Sequence, residues 1–296
     1  MIPLNHEEKK ALIRALRQDS GMGDLTSCIF DGETGKAEII AEEDCVLSGL
    51  EALDFLFREI GGKVSFLEGA RPGSVCGRGG VVAVVEGPVE GLLRAERAAL
   101  NILSRMSGIA TMARRASDIA DRASPGTRVA GTRKTTPGFH HFEKRALMDG
   151  GALPHRMDLS SMAMLKDNHL RALGGGPDAV LSGVEMIRER YGPYVVIEVE
   201  VEDIPCGLAA IEAGADIIML DNFSPESLRK AVSEIRKAAD INESNVTLEA
   251  SGGIGIENLE HYAPHVDVVS MGTLTYGARA VGFKMEYTGR SKYPDE

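Results

Sequence analysis

Residues 195–222 read VVIEVEVEDIPCGLAAIEAGADIIMLDN, in which two apolar runs flank a helical pattern. Runs of this length and composition, VVIEVEVE and ADIIMLDN, are typical of buried strands. A strand, a helix and a second strand in this order predict a parallel pair joined by a right-handed crossover. Each run also carries a carboxylate near its end, Glu200 in the first and Asp221 in the second. The segment therefore indicates the fold class and the edge of the sheet where a site would form.

The same alternation continues on both sides of this segment. The other strand-like runs are RVAGTRK, MAMLKDNH, VTLEASGG and VDVVSMG, which together give six strand–helix units. Six such units imply a parallel sheet covered on both faces, either doubly wound or rolled into a barrel. Polar residues at every strand end favour the barrel, because βα barrels build their sites there. A closed barrel of this kind has about eight units, so an open or incomplete parallel α/β barrel is expected.

The first part of the chain has a different pattern. Residues 6–18 and 51–60 have helical spacing, residues 36–47 are strand-like, and residues 63–93 alternate short β-runs with turns. This mixture predicts an N-terminal α+β domain. Residues 94–123 are expected to be helical, with a break near Ser107 and Gly108. The expected domains are 1–108 (α+β), 109–275 (catalytic barrel) and 276–296, a tail that packs on the first domain.

Composition excludes several classes of protein. The chain has 296 residues, 43% hydrophobic and 26% charged, with a net charge of −11, which argues against a nucleic-acid-binding protein. No apolar run is long enough for a membrane span, and the charged first residues do not resemble a signal peptide. The scattered Cys28, Cys45, Cys76 and Cys206 are expected to be reduced and buried, as in a cytoplasmic protein.

Basic residues are concentrated in one region. Residues 94–166 carry 13 Lys or Arg and 6 Asp or Glu, whereas the chain as a whole is acidic. Such a region indicates either a pocket for a small anion or a solvated basic surface. Arg133 and Lys134 follow a strand in a loop shaped by Gly and Pro, and Arg156 follows a second glycine-rich turn, so both are candidate anion ligands. His155 is equally compatible with a structural role.

Lys166 ends an apolar strand, where its ammonium group would point into the barrel mouth. It could form a Schiff base or act as a fixed cation. Nearby carboxylates favour the charged form and therefore the fixed cation. Glu198 and Glu200 share one face of their strand because side chains alternate. Glu200 and Asp221, at neighbouring strand ends, can hold Mg²⁺ with substrate phosphates or stabilise a cationic sugar centre.

The last strand ends are rich in glycine, in SGGIG at residues 251–255 and SMG at residues 270–272. Neither matches a P-loop or a dinucleotide-binding fingerprint. A strand-to-helix glycine loop still offers backbone N–H groups to a phosphate. The alternative is a tight turn without a ligand. The cations, two carboxylates and this loop together suit a phosphosugar that meets a carboxylated small molecule.

Seven ordered motifs, GTRKTTPG, GGALPHR, MLKDNHL, EVEVED, MLDNF, EASGGI and SMGTLT, resemble the quinolinate phosphoribosyltransferase family, also called nicotinate-nucleotide pyrophosphorylases. AERAALNILSRMSGIAT at residues 95–111 and GDLTS at residues 23–27 fit the same family, so the resemblance covers nearly the whole chain. It implies an N-terminal α/β sandwich and an open α/β barrel. It also implies that quinolinate and phosphoribosyl pyrophosphate react, with Mg²⁺, to nicotinate mononucleotide, pyrophosphate and CO₂.

The resemblance assigns roles to individual positions. The family's quinolinate-binding cations match Arg97, Arg133, Lys134, His155, Arg156 and Lys166. Its phosphoribosyl-side and metal-side carboxylates match Glu200 and Asp221, and its phosphate loops match Ser251, Gly252, Gly253 and Gly272. Lys134, Lys166, Glu200 and Asp221 are the expected catalytic residues. The resemblance further implies a homodimer in which Arg97 enters the neighbour's site, or a hexamer of such dimers.

Two positions depart from the family's usual pattern, since many members have Asn in place of Pro154 and Asp in place of Ser161. A paralogue from molybdate-transport operons also has a Pro-His-Arg-like turn, but it tends to lose the KDNH element that is complete at residues 166–169. The biosynthetic enzyme is therefore favoured. A barrel that only binds an anion, as a sensor or transport accessory, is the non-enzymatic alternative, and nicotinate is the alternative substrate.

Overall fold

The computed structural model describes residues 2–290. In chain order the helices are α1 His6–Ser20, α2 Leu50–Glu59, α3 Val89–Ala123, α4 His140–Asp149, α5 Asp167–Ala172, α6 Gly176–Tyr191, α7 Ile204–Glu212, α8 Pro225–Ile241 and α9 Thr273–Tyr276. The strands are β1 Thr34–Ala41, β2 Cys45–Val46, β3 Lys63–Phe66, β4 Val75–Cys76, β5 Val81–Pro88, β6 Arg128–Ala130, β7 Ala163–Leu165, β8 Ile197–Val201, β9 Ile217–Asp221, β10 Thr247–Ser251, β11 Val268–Ser270 and β12 Phe283–Arg290. Short 3₁₀ helices lie at Ser27–Phe30, Gly192–Tyr194, Leu259–His261 and Ala263–His265.

The chain divides into two compact units, and neither is a single continuous segment. The first unit consists of the chain up to Arg114, Thr135–Gly151 and the described chain from Leu274 onward. The second unit consists of Arg115–Lys134 and Ala152–Thr273. The linear domain bounds expected from the sequence, after residues 108 and 275, stay a prediction.

A four-stranded antiparallel sheet in the order β12–β1–β5–β3 forms the centre of the first unit. Ala37, Ile39 and Ala41 of β1 are fully buried, which reflects the two-residue period of a strand with one face in a core. The strand-like run at residues 36–47 is divided in two, because β2 leaves this sheet and pairs with β4. The N-terminal part of the chain thus has the predicted α+β character.

Helix α3 is continuous over 35 residues, so the break predicted near Ser107 and Gly108 is wrong. Gly108 instead permits a close approach, since a Cβ here would lie 2.0 Å from the carbonyl oxygen of Arg279. The neighbouring Ser107 is fully buried, and its hydroxyl donates to the carbonyl oxygen of Ser48 at 3.2 Å. The small residues at this point of α3 therefore allow close packing within the first unit, and they do not end the helix.

The second unit contains a six-stranded parallel sheet in the order β6–β11–β10–β9–β8–β7. Among residues 2–290 no strand ladder joins β6 to β7, so the sheet is open and the predicted open parallel α/β barrel is confirmed. A parallel bridge from Ala130 to Leu153 adds one further pair beside β6. The strand cores are almost fully buried, as the apolar runs predict.

Two aspartates fix the strand register at the edge opposite the strands' carboxyl ends. Asp216 Oδ2 accepts from the backbone N–H of Ile197 at 2.7 Å and from the Arg188 guanidinium at 2.7 Å. Asp267 Oδ2 repeats this arrangement, accepting from the backbone N–H of Leu248 at 2.7 Å and from Arg236. Charged hydrogen bonds of this kind are stronger than neutral ones, so they hold adjacent strands in a single register.

The four cysteines are free, but the expectation that they are all buried is wrong. Cys45 and Cys206 are buried, whereas Cys28 is exposed and Cys76 half-buried. Burial raises the pKa of the Cys45 thiol to about 12, which makes this thiol a poor nucleophile. Among the described residues, no helix combines the length and apolar character that crossing a membrane requires.

We expect Gly108→Ala to destabilise the chain, although glycine-to-alanine changes inside helices usually stabilise by up to about 1 kcal/mol. The new methyl group would meet the Arg279 carbonyl oxygen, and overpacking of this kind typically costs about 1–3 kcal/mol. Urea unfolding would measure the difference, with Asp121→Ala on the exposed face of α3 as the control. A stabilised Gly108→Ala protein would contradict the packing described here.

Candidate active site

A cavity of about 410 Å³ opens at the carboxyl ends of the parallel strands in the second unit. Its walls are mostly charged or hydroxyl-bearing side chains, with two methionines from β7 and β9. The lining residues are Thr132, Arg133, Lys134, His155, Arg156, Met164, Lys166, Glu200, Met219, Asp221, Ser251 and Ser270. The cavity therefore lies where a βα barrel is expected to build its site.

An ion pair joins two neighbouring strands in this cavity. Lys166, which follows β7, contacts the Glu200 carboxylate of β8 through its ammonium group. The strand register produces this contact, because Leu165 lies opposite Val199 and the next residues therefore lie side by side. The backbone N–H of Lys166 also donates to His169 Nδ1 at 3.0 Å. Lys166 is thus held at both its backbone and its side chain.

Asp221 ends β9 beside this pair. Burial raises the pKa of its carboxyl group and the charge of Glu200 raises it further, while Lys166 and Lys134 oppose the rise. Asn222 donates from its side-chain amide to Asp221 Oδ2 at 2.6 Å, which fixes the carboxylate. Carboxylate oxygens are donors that Mg²⁺ accepts, and a cation would relieve the repulsion between Asp221 and Glu200. Asp221 and Glu200 could therefore hold a magnesium ion.

Two guanidinium groups, of Arg133 and Arg156, add positive charge to the cavity lining. Arg156 is 7% exposed, and burial lowers its pKa, with the charge of Arg133 adding to the effect. Two arginines that repel each other in this way are stabilised by an anion placed between them. The guanidinium fork suits a carboxylate or phosphate, because it can donate two parallel hydrogen bonds.

His155 faces two buried carboxylates. Its Nε2 lies 3.5 Å from Glu198 Oε2 and 3.3 Å from Glu249 Oε1. Glu198 is fully buried and Glu249 is 2% exposed. Burial alone would lower the pKa of His155, but the contacts with Glu198 and Glu249 and their negative charges raise it to about 9. The imidazole is therefore a cation at neutral pH.

The turn that carries His155 has an unusual backbone. His155 has φ +54°, in the left-handed region that few residues other than glycine adopt. The preceding Pro154 has no N–H to donate, yet His155 reaches the cavity. Ser161, the other departure from the family pattern, accepts from the backbone N–H of Asp158 at 3.2 Å and donates to its carboxylate at 3.0 Å.

The glycine loop after β10 packs against the end of β9. A Cβ on Gly252, whose φ is +90°, would lie 2.3 Å from Asn222 Oδ1 and 2.6 Å from Asn222 N. Asn222 has φ +60° and donates its backbone N–H to the carbonyl oxygen of Ser251 at 3.0 Å. Gly253 also has a left-handed backbone, with φ +64°, but open space where a Cβ would be.

The structure brings together most of the residues that the sequence indicated. Eight of them line the cavity: Arg133, Lys134, His155, Arg156, Lys166, Glu200, Asp221 and Ser251. Gly252 and Gly253 follow Ser251 directly, and Gly272 follows the end of β11. Arg97 lies on α3 in the first unit, where its side chain is 61% exposed and 3.6 Å from Glu96.

Sequence reasoning did not single out Glu249, and it noted Ser270 only as part of the polar strand end SMG at residues 270–272. Glu249 precedes Ser251 by two positions on β10 and therefore shares its face, so strand alternation could have indicated it. Ser270 ends β11 and lines the cavity. The contact of Glu249 with His155 had no signal in the sequence, because it joins a strand to a distant turn.

The fold and the cavity define an α/β-barrel protein whose site is built for a small polyanion. Sequence comparison then narrows the class, and the chain belongs to the quinolinate phosphoribosyl transferase family. The N-terminal domain profile of this family matches residues 24–107 and its C-terminal domain profile matches residues 109–286.

Relatives and solved structures are similar over nearly their whole length. A probable nicotinate-nucleotide pyrophosphorylase (carboxylating) of Methanothermobacter thermautotrophicus is 38% identical over 93% of this chain and 96% of that protein. The human nicotinate-nucleotide pyrophosphorylase (carboxylating) is 38% identical over 94% of this chain and 91% of that protein. The crystal structure of NadC from Streptococcus pyogenes superposes with a TM-score of 0.88 at 33% identity, covering 98% of this chain and 100% of that chain.

We expect Gly252→Ala to cost more stability than Gly253→Ala. Both residues have left-handed backbones, for which an L-residue pays about 1–2 kcal/mol. Only at Gly252 would the new methyl group also collide with Asn222, which adds about 1–3 kcal/mol. Chemical denaturation of both variants measures the difference, and equal losses would show that Gly252 and Asn222 do not pack as described.

Proposed function

We propose that this chain transfers the phosphoribosyl group of phosphoribosyl pyrophosphate to the ring nitrogen of quinolinate, with loss of CO₂. The products are nicotinate mononucleotide, pyrophosphate and CO₂, as in NAD biosynthesis. One observation carries the proposal: in a chain of the quinolinate phosphoribosyl transferase family, the cavity combines several cations with two carboxylates at neighbouring strand ends.

The cations account for binding of quinolinate. Its two adjacent carboxylates carry two negative charges, and Arg133, His155 and Arg156 present positive charge on one side of the cavity. Lys166 is paired with Glu200, which favours a fixed cation over a Schiff-base lysine. Such binding fixes the ring in one orientation, so the ring nitrogen is presented to the sugar.

The phosphoribosyl group is expected at the glycine loops. Backbone N–H groups of Gly252, Gly253 and Gly272 follow strand ends and are suited to a phosphate. Lys134 adds a point charge for the departing pyrophosphate. Magnesium, held by Asp221 and Glu200 through phosphates or water, would neutralise charge on the pyrophosphate as it leaves.

The reaction needs no protein nucleophile. When the bond from the sugar C1 to pyrophosphate breaks, positive charge develops on the sugar, and Glu200 or Asp221 can stabilise it electrostatically. The quinolinate nitrogen donates its electron pair to C1 and becomes positively charged. The carbon–carboxylate bond next to that nitrogen then breaks, CO₂ leaves, and the ring accepts the electron pair before a proton replaces it.

We expect strong discrimination between quinolinate and nicotinate in an assay with phosphoribosyl pyrophosphate and Mg²⁺. Nicotinate lacks one carboxylate, so it would leave a buried cation unmatched, and kcat/KM should fall at least about 100-fold. Release of CO₂ and formation of nicotinate mononucleotide are the readouts, with Arg229→Ala on the exposed face of α8 as the control variant. Binding of quinolinate without turnover would favour the anion-binding alternative instead.

A shared site in a homodimer is part of the proposal, as is a cytoplasmic location. Arg97 is a strongly exposed cation on α3, and the described lining of the cavity does not include it. An exposed pair such as Arg97 with Glu96 contributes only about 0–1 kcal/mol to stability. Arg97 matches a quinolinate-binding cation of the family, so we propose that it binds the substrate in the neighbouring subunit's site. Larger assemblies of such dimers are compatible with this role.

Mixing two inactive variants tests the shared site. Arg97→Ala and Lys134→Ala should each nearly abolish activity, since truncating a charge that meets a buried partner costs about 2–5 kcal/mol. Heterodimers would contain one site with both residues intact, so subunit exchange should restore up to about one quarter of wild-type activity under statistical mixing. Mass spectrometry confirms that heterodimers form. If they form and activity stays absent, Arg97 does not act across subunits.

A further inference from the structure

We propose that Glu198 and Glu249 are positioning residues that together hold His155 as an imidazolium, so that it can bind a carboxylate of the substrate. The inference deepens the proposed function, because it rests on quinolinate as the ligand of the same cavity. It assigns a role to two buried carboxylates that the proposed reaction leaves unused.

Geometry is the first support. Nε2 of His155 stands between the carboxylates, 3.5 Å from Glu198 Oε2 and 3.3 Å from Glu249 Oε1. These carboxylates come from two strands of one sheet, β8 and β10, whose side chains at these positions point inward. With φ +54°, the His155 backbone is strained, and such strain persists only where the surroundings impose it. The imidazole is thus aimed at the two carboxylates.

The second support is the lack of hydrogen-bond donors for oxygens of the two carboxylates. Both oxygens of Glu198, and Oε1 of Glu249, have no aligned hydrogen-bond donor within residues 2–290. Burial raises the pKa of the Glu198 carboxyl group and the contact with His155 opposes the rise, so the ionised form of this carboxylate depends on that cation. Because the imidazole N–H is not aligned with these oxygens, His155 interacts with them mainly through its positive charge and less through strong hydrogen bonds.

The remaining charges around His155 explain why two carboxylates are needed. Burial disfavours the imidazolium, so a negative charge close by is needed to retain the proton. The charged groups that share the cavity with His155 are Arg133, Lys134, Arg156, Lys166, Glu200 and Asp221. Lys166 is already paired with Glu200, so Glu200 offsets that cation first. Glu198 and Glu249 face His155, whose pKa is raised to about 9, and Glu198 also interacts with the charge of Arg156.

The sign of the pH dependence follows from that rise. A histidine whose pKa is raised in the folded protein has the stabilising charge below its unfolded value near 6.5 and loses it as pH rises through about 9. Quinolinate binding by the wild-type chain should therefore be nearly constant from pH 6 to 8. Above that range it should weaken as His155 loses its proton.

The test uses isosteric variants of the full chain, Glu198→Gln and Glu249→Gln, and the double variant. The affinity for quinolinate is measured by calorimetry at pH 6.0 and 8.5, and the His155 pKa by NMR with ¹³C-labelled histidine. The chain has seven histidines, so a His155→Asn sample assigns the signal. Glu212→Gln, at the exposed end of α7, removes one negative charge without touching the cavity and serves as the matched control.

We expect the double variant to bring the His155 pKa to about 7 or below, with each single variant in between. Quinolinate affinity should then fall at least about 20-fold at pH 8.5 and less than about twofold at pH 6.0, because the competent protonated fraction decreases only at high pH. Glu212→Gln should behave as wild type. A merely structural role would weaken binding equally at both pH values, and this pattern would overturn the inference.

Two further outcomes distinguish a failure of this inference from a failure of the proposed function. If His155 of the wild type titrates near 6.5, or if its titration is unchanged in the double variant, the inference is wrong even when quinolinate binds. If the wild type binds no quinolinate at either pH, the proposed function fails. The NMR titration still judges whether Glu198 and Glu249 hold the imidazolium.

Discussion

The parallel register of the six-stranded sheet is the constraint on which the candidate active site depends. Ser251 lies opposite Asp221, and Glu200 lies opposite Met219, so successive strands present their last residues at one edge. Side chains alternate along a strand, and a slip of one residue would turn Glu200 out of the cavity. Asp216 and Asp267 oppose such a slip from the other edge, because each links two strands through charged hydrogen bonds.

Charge compensation is the second requirement. The strand register brings many ionisable groups into one partly buried cavity, and buried charges are costly unless they are paired. Lys166 with Glu200, and His155 with Glu198 and Glu249, are internal pairings. Burial lowers the pKa of Arg156, and the positive charge of Arg133 lowers it further. A dianionic substrate would bring negative charge to these cations, so the site is suited to bind one and to orient it at the same time.

This arrangement requires unfavourable backbone conformations in a few places. His155 and Asn222 adopt left-handed conformations, and Gly252 is required because Asn222 occupies the space of a side chain. Asn tolerates such a backbone better than most residues, and its amide also fixes the Asp221 carboxylate. Two of the three non-glycine residues with positive φ in the described chain, His155 and Asn222, lie at or beside the cavity, in agreement with a site whose geometry is held by the surrounding fold.

By itself, the sequence determined the parallel α/β architecture, the polar strand ends and the family. These features are local: apolar runs specify strands, a two-residue period puts Glu198 and Glu200 on one face, and motif order identifies relatives. Only the tertiary structure decided which charges meet. Glu249 lies far from His155 along the chain, and no local pattern encodes their contact. The same limit applies to Gly108. Its local sequence suggested a helix break, but in the folded chain glycine is needed there because the Arg279 backbone lies too close for a side chain.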